Sequence, residues 1–365
     1  MRAGRIEATG FRNIGSLDLV LPEAGAVLLG PNGQGKTNLL EAIYYPVLFR
    51  SLRGARDLDL VRHGDPAFHL RLELHGPTGD HRVEAGFALA GRRKRIALDG
   101  AETTRLNEAL GIWLAVSFLP TDVSLVAGGA SERRQFLDRV LALSSPTYLR
   151  ALRQYRAAVD QRNAALRRGE ADAAWAFDPA LARFGSVVTA ERLAWVERYG
   201  PAWRALTAGL GEPMEVGIRY AGRGDLADAE AWPEALAGQR GRDLGTGTTS
   251  VGPHRDDLAF DLGDAPLRVA GSTGQQRTAA VALKLCERDT LEAARGAPPA
   301  LLLDDVFAEL DRGRQERLAE RLGIGAGRQV FITAPRADEL PPGLDLPVFD
   351  VAAGVATPRS AVRAA

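Results

Sequence analysis

Residues 30–37, which read Gly-Pro-Asn-Gly-Gln-Gly-Lys-Thr, constrain this chain more than any other stretch. They fit the phosphate-binding P-loop pattern G-x-x-x-x-G-K-[ST]. The glycines allow a tight turn that directs backbone N–H groups toward phosphate oxygens. Lys36 is expected to reach the outer phosphates, and the Thr37 hydroxyl to hold Mg²⁺. A chance match is a poor explanation because lysine occurs at only three positions, Lys36, Lys94 and Lys284.

The sequence around this loop agrees with the P-loop interpretation. Residues 25–29 are apolar and predict a short buried strand, and residues 37–45 predict a helix. The helix N-terminus would add its dipole to the anion site. We therefore predict that the whole loop contacts a nucleotide, through Gly30, Pro31, Asn32, Gly33, Gln34, Gly35, Lys36 and Thr37.

A second apolar strand ends in two acidic residues, Asp304 and Asp305. This is the Walker B pattern of P-loop ATPases. Asp304 would bind Mg²⁺, directly or through water, and Asp305 would polarise the attacking water. Two ordinary acids at a strand end are the alternative, but the P-loop elsewhere in the chain favours the catalytic interpretation.

Residues 271–277, Gly-Ser-Thr-Gly-Gln-Gln-Arg, have two interpretations. Ser272 and Gln275 fit a capping box at the start of a helix. Ser272, Gly274 and Gln275 also match the L-S-G-G-Q signature of ABC-type ATPases, although Gly271 and Thr273 depart from it. In such heads the signature covers the γ-phosphate held by the P-loop of a second subunit. The sequence therefore predicts an ATP-dependent homodimer.

Two further positions complete the ATPase pattern. Asp311 matches the loop that follows Walker B, and Thr333 matches the switch strand, where ABC transporters place a histidine. Because Ala334 and Pro335 follow Thr333, no histidine is available there. We expect a nucleotide contact from Thr333 and a slow, weak ATPase.

Composition limits the possible partners and location. The 46 Lys and Arg residues balance 46 Asp and Glu residues, so a nucleic-acid surface would have to be a local patch. The single cysteine, Cys286, suits a reducing compartment. There is neither an apolar run of about 18 residues nor the apolar region of a signal peptide, which predicts a cytoplasmic protein without a membrane partner.

The pattern of strands and helices predicts an α/β fold: an ABC-type P-loop ATPase head, with a mixed sheet and helices, that carries an inserted helical lobe. Residues 1–120 would form the first part of the head with the P-loop. Residues 121–245 would form a mainly helical insert, and residues 246–365 would return to the head with the signature and Walker B. Apolar heptads do not persist, so no long coiled coil is expected.

Motifs along almost the whole chain resemble the RecF family, bacterial recombination mediators whose ABC-type head is related to SMC proteins. The resemblance is carried by residues 11–13 (Phe-Arg-Asn), 33–38, 118–122, 133–138, 161–163, 252–257, 274–277 and 303–306. The chain departs from the family at Thr333-Ala334-Pro335, where Thr-Thr-Thr is usual.

The resemblance implies several properties. The protein would bind ATP, with Asn38 in the P-loop motif and Arg12 resembling an SMC-family phosphate contact. It would dimerise on ATP and bind double-stranded DNA and the junctions at gaps. With RecO and RecR it would promote loading of RecA in DNA repair, recombination and replication and in the SOS response, and slow hydrolysis would reset it.

DNA contacts are harder to predict than nucleotide contacts. We expect sequence-independent binding through phosphates, with a steep dependence on salt. The basic candidates lie in three places: the segment after the P-loop helix, a turn at 92–95, and the helix after Pro146. They are Arg53, Arg56, Arg92, Arg93, Lys94, Arg95 and Arg153.

Two other functions fit parts of the pattern. A soluble ATPase subunit of an ABC transporter would share the motifs, but the long insert between P-loop and signature and the missing switch histidine argue against it. An ATP-gated scaffold with incidental hydrolysis remains open.

Overall fold

The computed structural model describes residues 1–77, 79–103, 109–211, 215–308 and 310–359. The chain forms two compact units, one of residues 1–121 and 295–365 and one of residues 122–294. This division differs from the three predicted segments because residues 246–294 group with the helical unit. Contacts between the two segments account for this grouping. For example, the indole N–H of Trp203, in the predicted insert, donates to the carbonyl oxygen of Ala279, in the third predicted segment, at 3.0 Å.

The elements are numbered in chain order. The strands are β1 (Arg2–Phe11), β2 (Ile14–Val20), β3 (Gly25–Leu29), β4 (Ala67–His75), β5 (His81–Ala88), β6 (Arg93–Leu98), β7 (Ala101–Glu102), β8 (Ala115–Phe118), β9 (Val216–Ala221), β10 (Asp257–Leu262), β11 (Ala265–Pro266), β12 (Ala300–Asp304), β13 (Val330–Ala334), β14 (Val348–Ala352) and β15 (Val355–Pro358). The helices are α1 (Lys36–Leu48), α2 (Ser124–Ala127), α3 (Ala130–Ser144), α4 (Pro146–Arg167), α5 (Ala171–Trp175), α6 (Asp178–Leu210), α7 (Trp232–Ala237), α8 (Arg240–Thr246), α9 (Leu267–Ala270), α10 (Thr273–Arg295) and α11 (Arg312–Leu322).

The first unit contains an antiparallel sheet of order β2-β1-β4-β5-β6-β7. Its strands alternate between a buried face, which includes Leu72, and a polar face, where Arg71 pairs with Glu7 at 3.0 Å. The predicted basic turn at 92–95 is corrected in part, because only Arg92 lies in the turn. The next three residues begin β6, whose pairing with β5 sets their register.

The second sheet of this unit has the order β15-β14-β3-β13-β12-β8, and its inner strands run parallel. β12 and β13 are buried along their whole length, as strands covered on both faces must be. β13 lies between β3 and β12 and runs parallel to both, so the C-terminal ends of these three strands lie side by side at one edge of the sheet. This strand order brings together the P-loop after β3, Thr333 on β13 and Asp304 at the end of β12. β15 pairs with β14 and continues the sheet, and residues 360–365 lie outside the described part.

The second unit is mainly helical, with a small sheet of order β11-β10-β9. The motifs at 133–138, 161–163 and 252–257 hold this unit together. Arg133 forms two hydrogen bonds of 2.7 and 2.8 Å with Asp257, and buried Arg162 donates to buried Asp243 at 2.8 Å. Residues of this unit that carry the resemblance, such as Arg133 and Arg162, thus have a structural role. No helix in the described part of the chain is long and apolar enough to cross a membrane.

Candidate nucleotide site

The backbone of the P-loop needs its glycines. Gly33 and Gly35 have φ angles of 83° and 106°, a region that side chains strain. A Cβ on Gly35 would also lie 2.6 Å from the side-chain amide of Asn13. A Cβ on Gly30 would collide with the carbonyl oxygen of Val351. The loop therefore adopts a tight backbone turn that only glycine permits at these positions.

The loop leads directly into α1, which begins at Lys36. Among the described side chains none caps this helix, and its first turn carries no acidic residue. The positive end of the helix dipole is therefore not neutralised locally. Lys36 is 4% exposed, and its ammonium donates to the carbonyl oxygens of Gly30 at 2.6 Å and Pro31 at 3.2 Å. The arrangement brings a charged donor and a helix N-terminus together, which fits an anionic ligand.

Oxygen ligands for a cation lie next to this cradle. The Thr37 hydroxyl donates to the Asp304 carboxylate, with Oγ1–Oδ distances of 2.8 and 3.0 Å. Within the described residues no group of three or more His, Cys, Asp or Glu side chains is placed to hold a metal ion. Mg²⁺ is usually bound by one or two carboxylates together with substrate phosphates, so this pair fits it.

Asp305 stands in an unusual environment. Its φ of 48° is left-handed, although it is not a glycine. Burial raises the pKa of its carboxyl above the ordinary value, and the adjacent Asp304 charge raises it further. A carboxylate with a raised pKa accepts a proton more readily, which suits a group that polarises water.

Two segments distant in sequence hold Gln34 at the tip of the loop. The amide N–H groups of Ala353 and Gly354, between β14 and β15, donate to its side-chain and backbone oxygens, both at 2.8 Å. From the other side, Asn13 donates to the same backbone oxygen at 3.2 Å. The loop shape is therefore fixed from outside as well as by its glycines.

A buried carboxylate that we did not predict lies beside the loop. Glu41 on α1 is 0% exposed and accepts hydrogen bonds from Arg12 at 2.9 Å, Ser51 at 2.5 Å and Arg53 at 2.8 Å. Burial alone would raise the pKa of Glu41, but these donors outweigh it and lower the pKa below the ordinary value. Arg12, expected at phosphate, and Arg53, expected at DNA, both pair with this carboxylate. The sequence signal for this buried carboxylate is an acidic residue flanked by the apolar residues Leu40 and Ala42.

Replacing Glu41 with glutamine is expected to lower the free energy of unfolding by about 3 kcal/mol at pH 7, because two arginines lose their buried counter-charge. Since folding lowers the pKa of Glu41, its contribution is present above the ordinary value of 4.5 and lost as pH falls through the folded value. The free energies of unfolding of wild type and Glu41→Gln, measured with urea, should therefore become equal in acid. Glu23→Gln is the matched control, because Glu23 is exposed. Equal stability of wild type and Glu41→Gln at pH 7 would contradict this account.

The signature stretch belongs to the second unit. Ser272 and Gln275 form the predicted capping box: the Ser272 N–H donates to Gln275 Oε1 at 2.8 Å, and the Gln275 N–H donates to Ser272 Oγ at 3.2 Å. Ser272, Thr273 and Gly274 are exposed at the start of α10. Asp311 caps α11 by accepting the N–H of Arg314 at 2.9 Å.

The basic DNA candidates have different surroundings. Lys94 donates to the carbonyl oxygen of Phe49 and pairs with Asp57 at 3.0 Å, and burial lowers its pKa. Arg56 pairs with Asp59, and Arg95 lies 3.9 Å from Glu102. Three candidates are exposed and form no ion pair within the described residues, namely Arg92, Arg93 and Arg153. All seven DNA assignments stay predictions.

His254 and Cys286 have structural surroundings. The Nε2–H of His254 donates to the carbonyl oxygen of Thr249 at 2.9 Å, and Nδ1 accepts the Tyr155 hydroxyl at 2.6 Å. Burial lowers the His254 pKa to about 4, so the ring is neutral at pH 7. Cys286 is buried in α10, as its apolar neighbours predict.

Known proteins give an independent comparison. The family model "RecF/RecN/SMC N terminal domain" matches residues 3–341. A DNA replication and repair protein RecF from Anaeromyxobacter sp. (strain Fw109-5) is 38% identical over 359 residues, which cover 95% of this chain and 96% of that protein. A Geobacter sulfurreducens protein of the same name is 36% identical over 368 residues, covering 98% of this chain and 100% of its own.

Solved structures agree with these relatives. A structure described as the recombination mediator protein RecF-ATP in the RecFOR pathway has a TM-score of 0.90 and 29% identity, and the match covers 98% of each chain. An Smc head bound to the C-winged helix domain of ScpA has a TM-score of 0.58 at 15% identity, covers 98% of this chain and 97% of that one, and supports the fold alone. The predicted ABC-type ATPase head is therefore confirmed.

Proposed function

This chain belongs to the RecF family, and on that premise we propose that it is an ATP-driven homodimer that acts on DNA during replication and repair. The observation that carries the proposal is the conjunction of P-loop and Walker B: Thr37 and Asp304 lie 2.8 Å apart at the N-terminus of α1. A structural relative is described as RecF-ATP, which supports ATP as the ligand.

Within one subunit, each residue has a proposed task. The Lys36 ammonium would leave the Gly30 and Pro31 carbonyls to pair with the outer phosphates, while loop N–H groups bind the remaining oxygens. Thr37 and Asp304 would hold Mg²⁺, which neutralises phosphate charge when bound. Asp305 would orient the attacking water and accept its proton.

A second subunit would complete the site. Ser272 is exposed at the N-terminus of a 23-residue helix, where a hydroxyl donor and a positive dipole favour an anion. We propose that this end of α10 covers the γ-phosphate on the partner's P-loop. ATP would then stabilise the dimer because it binds the closed pair better than separate chains, and slow hydrolysis would release them.

The proposed partners follow from the family. They are double-stranded and gapped DNA, bound without sequence preference, RecR and RecO, and indirectly RecA, all in the cytoplasm. Arg92, Arg93 and Arg153 support the DNA proposal best because no carboxylate neutralises them within the described part of the chain.

Mixing two inactive variants tests the composite site. Lys36→Ala disables the P-loop, and Ser272→Arg blocks the signature, so neither homodimer contains an intact site. A mixed dimer contains one intact site and one site with both defects. An equal mixture should therefore recover about a quarter of the wild-type sites if chains pair at random. Recovery is measured as ATP hydrolysis and as an ATP-dependent increase in molar mass.

The control mixture pairs Lys36→Ala with the double variant Lys36→Ala/Ser272→Arg. It contains no intact P-loop and should recover neither hydrolysis nor dimer. If the first mixture also recovers neither, the composite site is wrong. A wild-type chain that stays monomeric at saturating ATP would overturn the homodimer itself.

A further inference from the structure

Thr333 occupies the centre of the acidic end of the site. It lies on β13, between the strand that leads to the P-loop and the strand that ends at Asp304. The sheet register places it directly beside Asp304 on one side and Leu28 on the other. Its side chain is 1% exposed.

The hydroxyl of Thr333 already has specific partners. Its single proton is donated to Asp304 Oδ1, at an oxygen–oxygen distance of 2.8 Å. One of its lone pairs accepts the backbone N–H of Asp305 at 3.0 Å. The Asp305 carboxylate is farther away, at 3.4 Å, and does not compete for the proton. Thr333 thus joins the side chain of one acid to the backbone of the next.

These bonds act on the two groups that the proposed chemistry needs fixed. Asp304 Oδ1 accepts from both Thr37 and Thr333, so its rotation is restricted from two sides. Asp305 has a left-handed backbone that an L-residue disfavours, and the bond to Thr333 holds its N–H in that conformation. Loss of the Thr333 hydroxyl would leave the Asp305 N–H without its acceptor and would allow the Asp304 carboxylate to rotate more freely.

We propose that Thr333 is a positioning residue that sets the orientation of Asp304 and Asp305, and that it makes no contact with the nucleotide. This inference rests on the proposed ATPase function and replaces the nucleotide contact expected from the switch-strand pattern. The positioning role needs only the hydroxyl of Thr333, which forms the bonds to Asp304 and Asp305. It therefore does not depend on Ala334 and Pro335, where the sequence departs from Thr-Thr-Thr.

Two variants test the proposal by changing either the hydroxyl or the shape of Thr333. Thr333→Val removes the hydroxyl and keeps the volume, whereas Thr333→Ser keeps the hydroxyl. We expect Thr333→Val to lower kcat by about 10- to 100-fold while the equilibrium Kd for ATP changes less than about threefold. The Mg²⁺ concentration for half-maximal rate should rise. Thr333→Ser should restore kcat to within about threefold of wild type.

A measurement without nucleotide separates this inference from the proposed function. Amide hydrogen exchange at Asp305 should be faster in Thr333→Val than in wild type or Thr333→Ser, because only the valine variant lacks the acceptor. This holds whether or not the protein hydrolyses ATP. Thr333→Ala provides the same comparison if the valine variant does not fold.

Three results would overturn the proposal. One is unchanged exchange at Asp305 in both hydroxyl-free variants. Another is wild-type kcat in Thr333→Val. The third is a loss of ATP affinity as large as the loss of kcat, which would restore a nucleotide contact. Absence of ATP binding in the wild type would instead overturn the proposed function. Hydrogen exchange at Asp305 would then still test the positioning role of Thr333.

Discussion

Replacing Lys36 with alanine is expected to weaken ATP binding about 100-fold, which corresponds to about 3 kcal/mol. Lys36 is the only lysine in the loop, and its ammonium lies within 3.2 Å of two loop carbonyls at the start of α1. Charge-assisted bonds to phosphate are about twice as strong as neutral ones, and burial at 4% exposure limits screening by water. Titration calorimetry with ATP and Mg²⁺ measures the change.

A charge-matched control makes this test specific. Arg153→Ala also removes one positive charge, but from an exposed position on α4 in the other unit. Its ATP affinity should equal that of wild type. If both variants lose affinity equally, the effect is one of net charge, and the assignment of Lys36 to the phosphates is wrong.

The local parts of the site could be predicted from sequence because their chemistry is local. Glycines between an apolar strand and a helix allow the tight turn of the loop, and the two acids at the end of β12 follow one apolar run. The helix of the signature also starts where Ser272 and Gln275 predict, since a capping box needs only four consecutive residues.

Contacts between distant segments could not be predicted in this way. The bond from Gly354 to Gln34 joins residues at opposite ends of the chain, and only the strand order of the second sheet brings them together. Arg12 and Arg53 illustrate the same limit. The family resemblance suggested a nucleotide contact for Arg12, and charge suggested a DNA contact for Arg53, but a sequence pattern does not show that Glu41 is buried between them. A positive charge is informative about ligands only after its internal partners are known.

The glycine before the basic run predicts a turn at 92–95, but strand pairing places three of these four residues in β6. Because Lys94 is paired with Phe87 in the sheet, its side chain lies over the ring of Tyr45, 5.1 Å from the centroid. A one-residue difference in register reverses the face of each side chain. Adjacent basic residues on a strand therefore do not form one surface.

Replacing Asp305 with asparagine is expected to reduce ATP hydrolysis about 1000-fold and to leave ATP binding and ATP-dependent dimerisation intact. Asparagine keeps the shape and the backbone bond to Thr333, but it cannot accept a proton from water. Asp228→Asn is the matched control, because Asp228 is exposed and the only described hydrogen bond of its side chain, from the Glu230 N–H, can also be accepted by asparagine. Single-turnover hydrolysis and molar mass with ATP are measured for each variant.

The same variant separates a hydrolysing switch from an ATP-gated scaffold. Both functions need the ATP-bound dimer, which Lys36→Ala removes and Asp305→Asn keeps, but only the switch needs the dimer to open again. We expect Asp305→Asn to fail in DNA repair as completely as Lys36→Ala, since a dimer that does not release its partner cannot be reused. Repair at the wild-type level with hydrolysis lost would show that turnover is incidental. ATP would then act only through the differential affinity that closes the dimer.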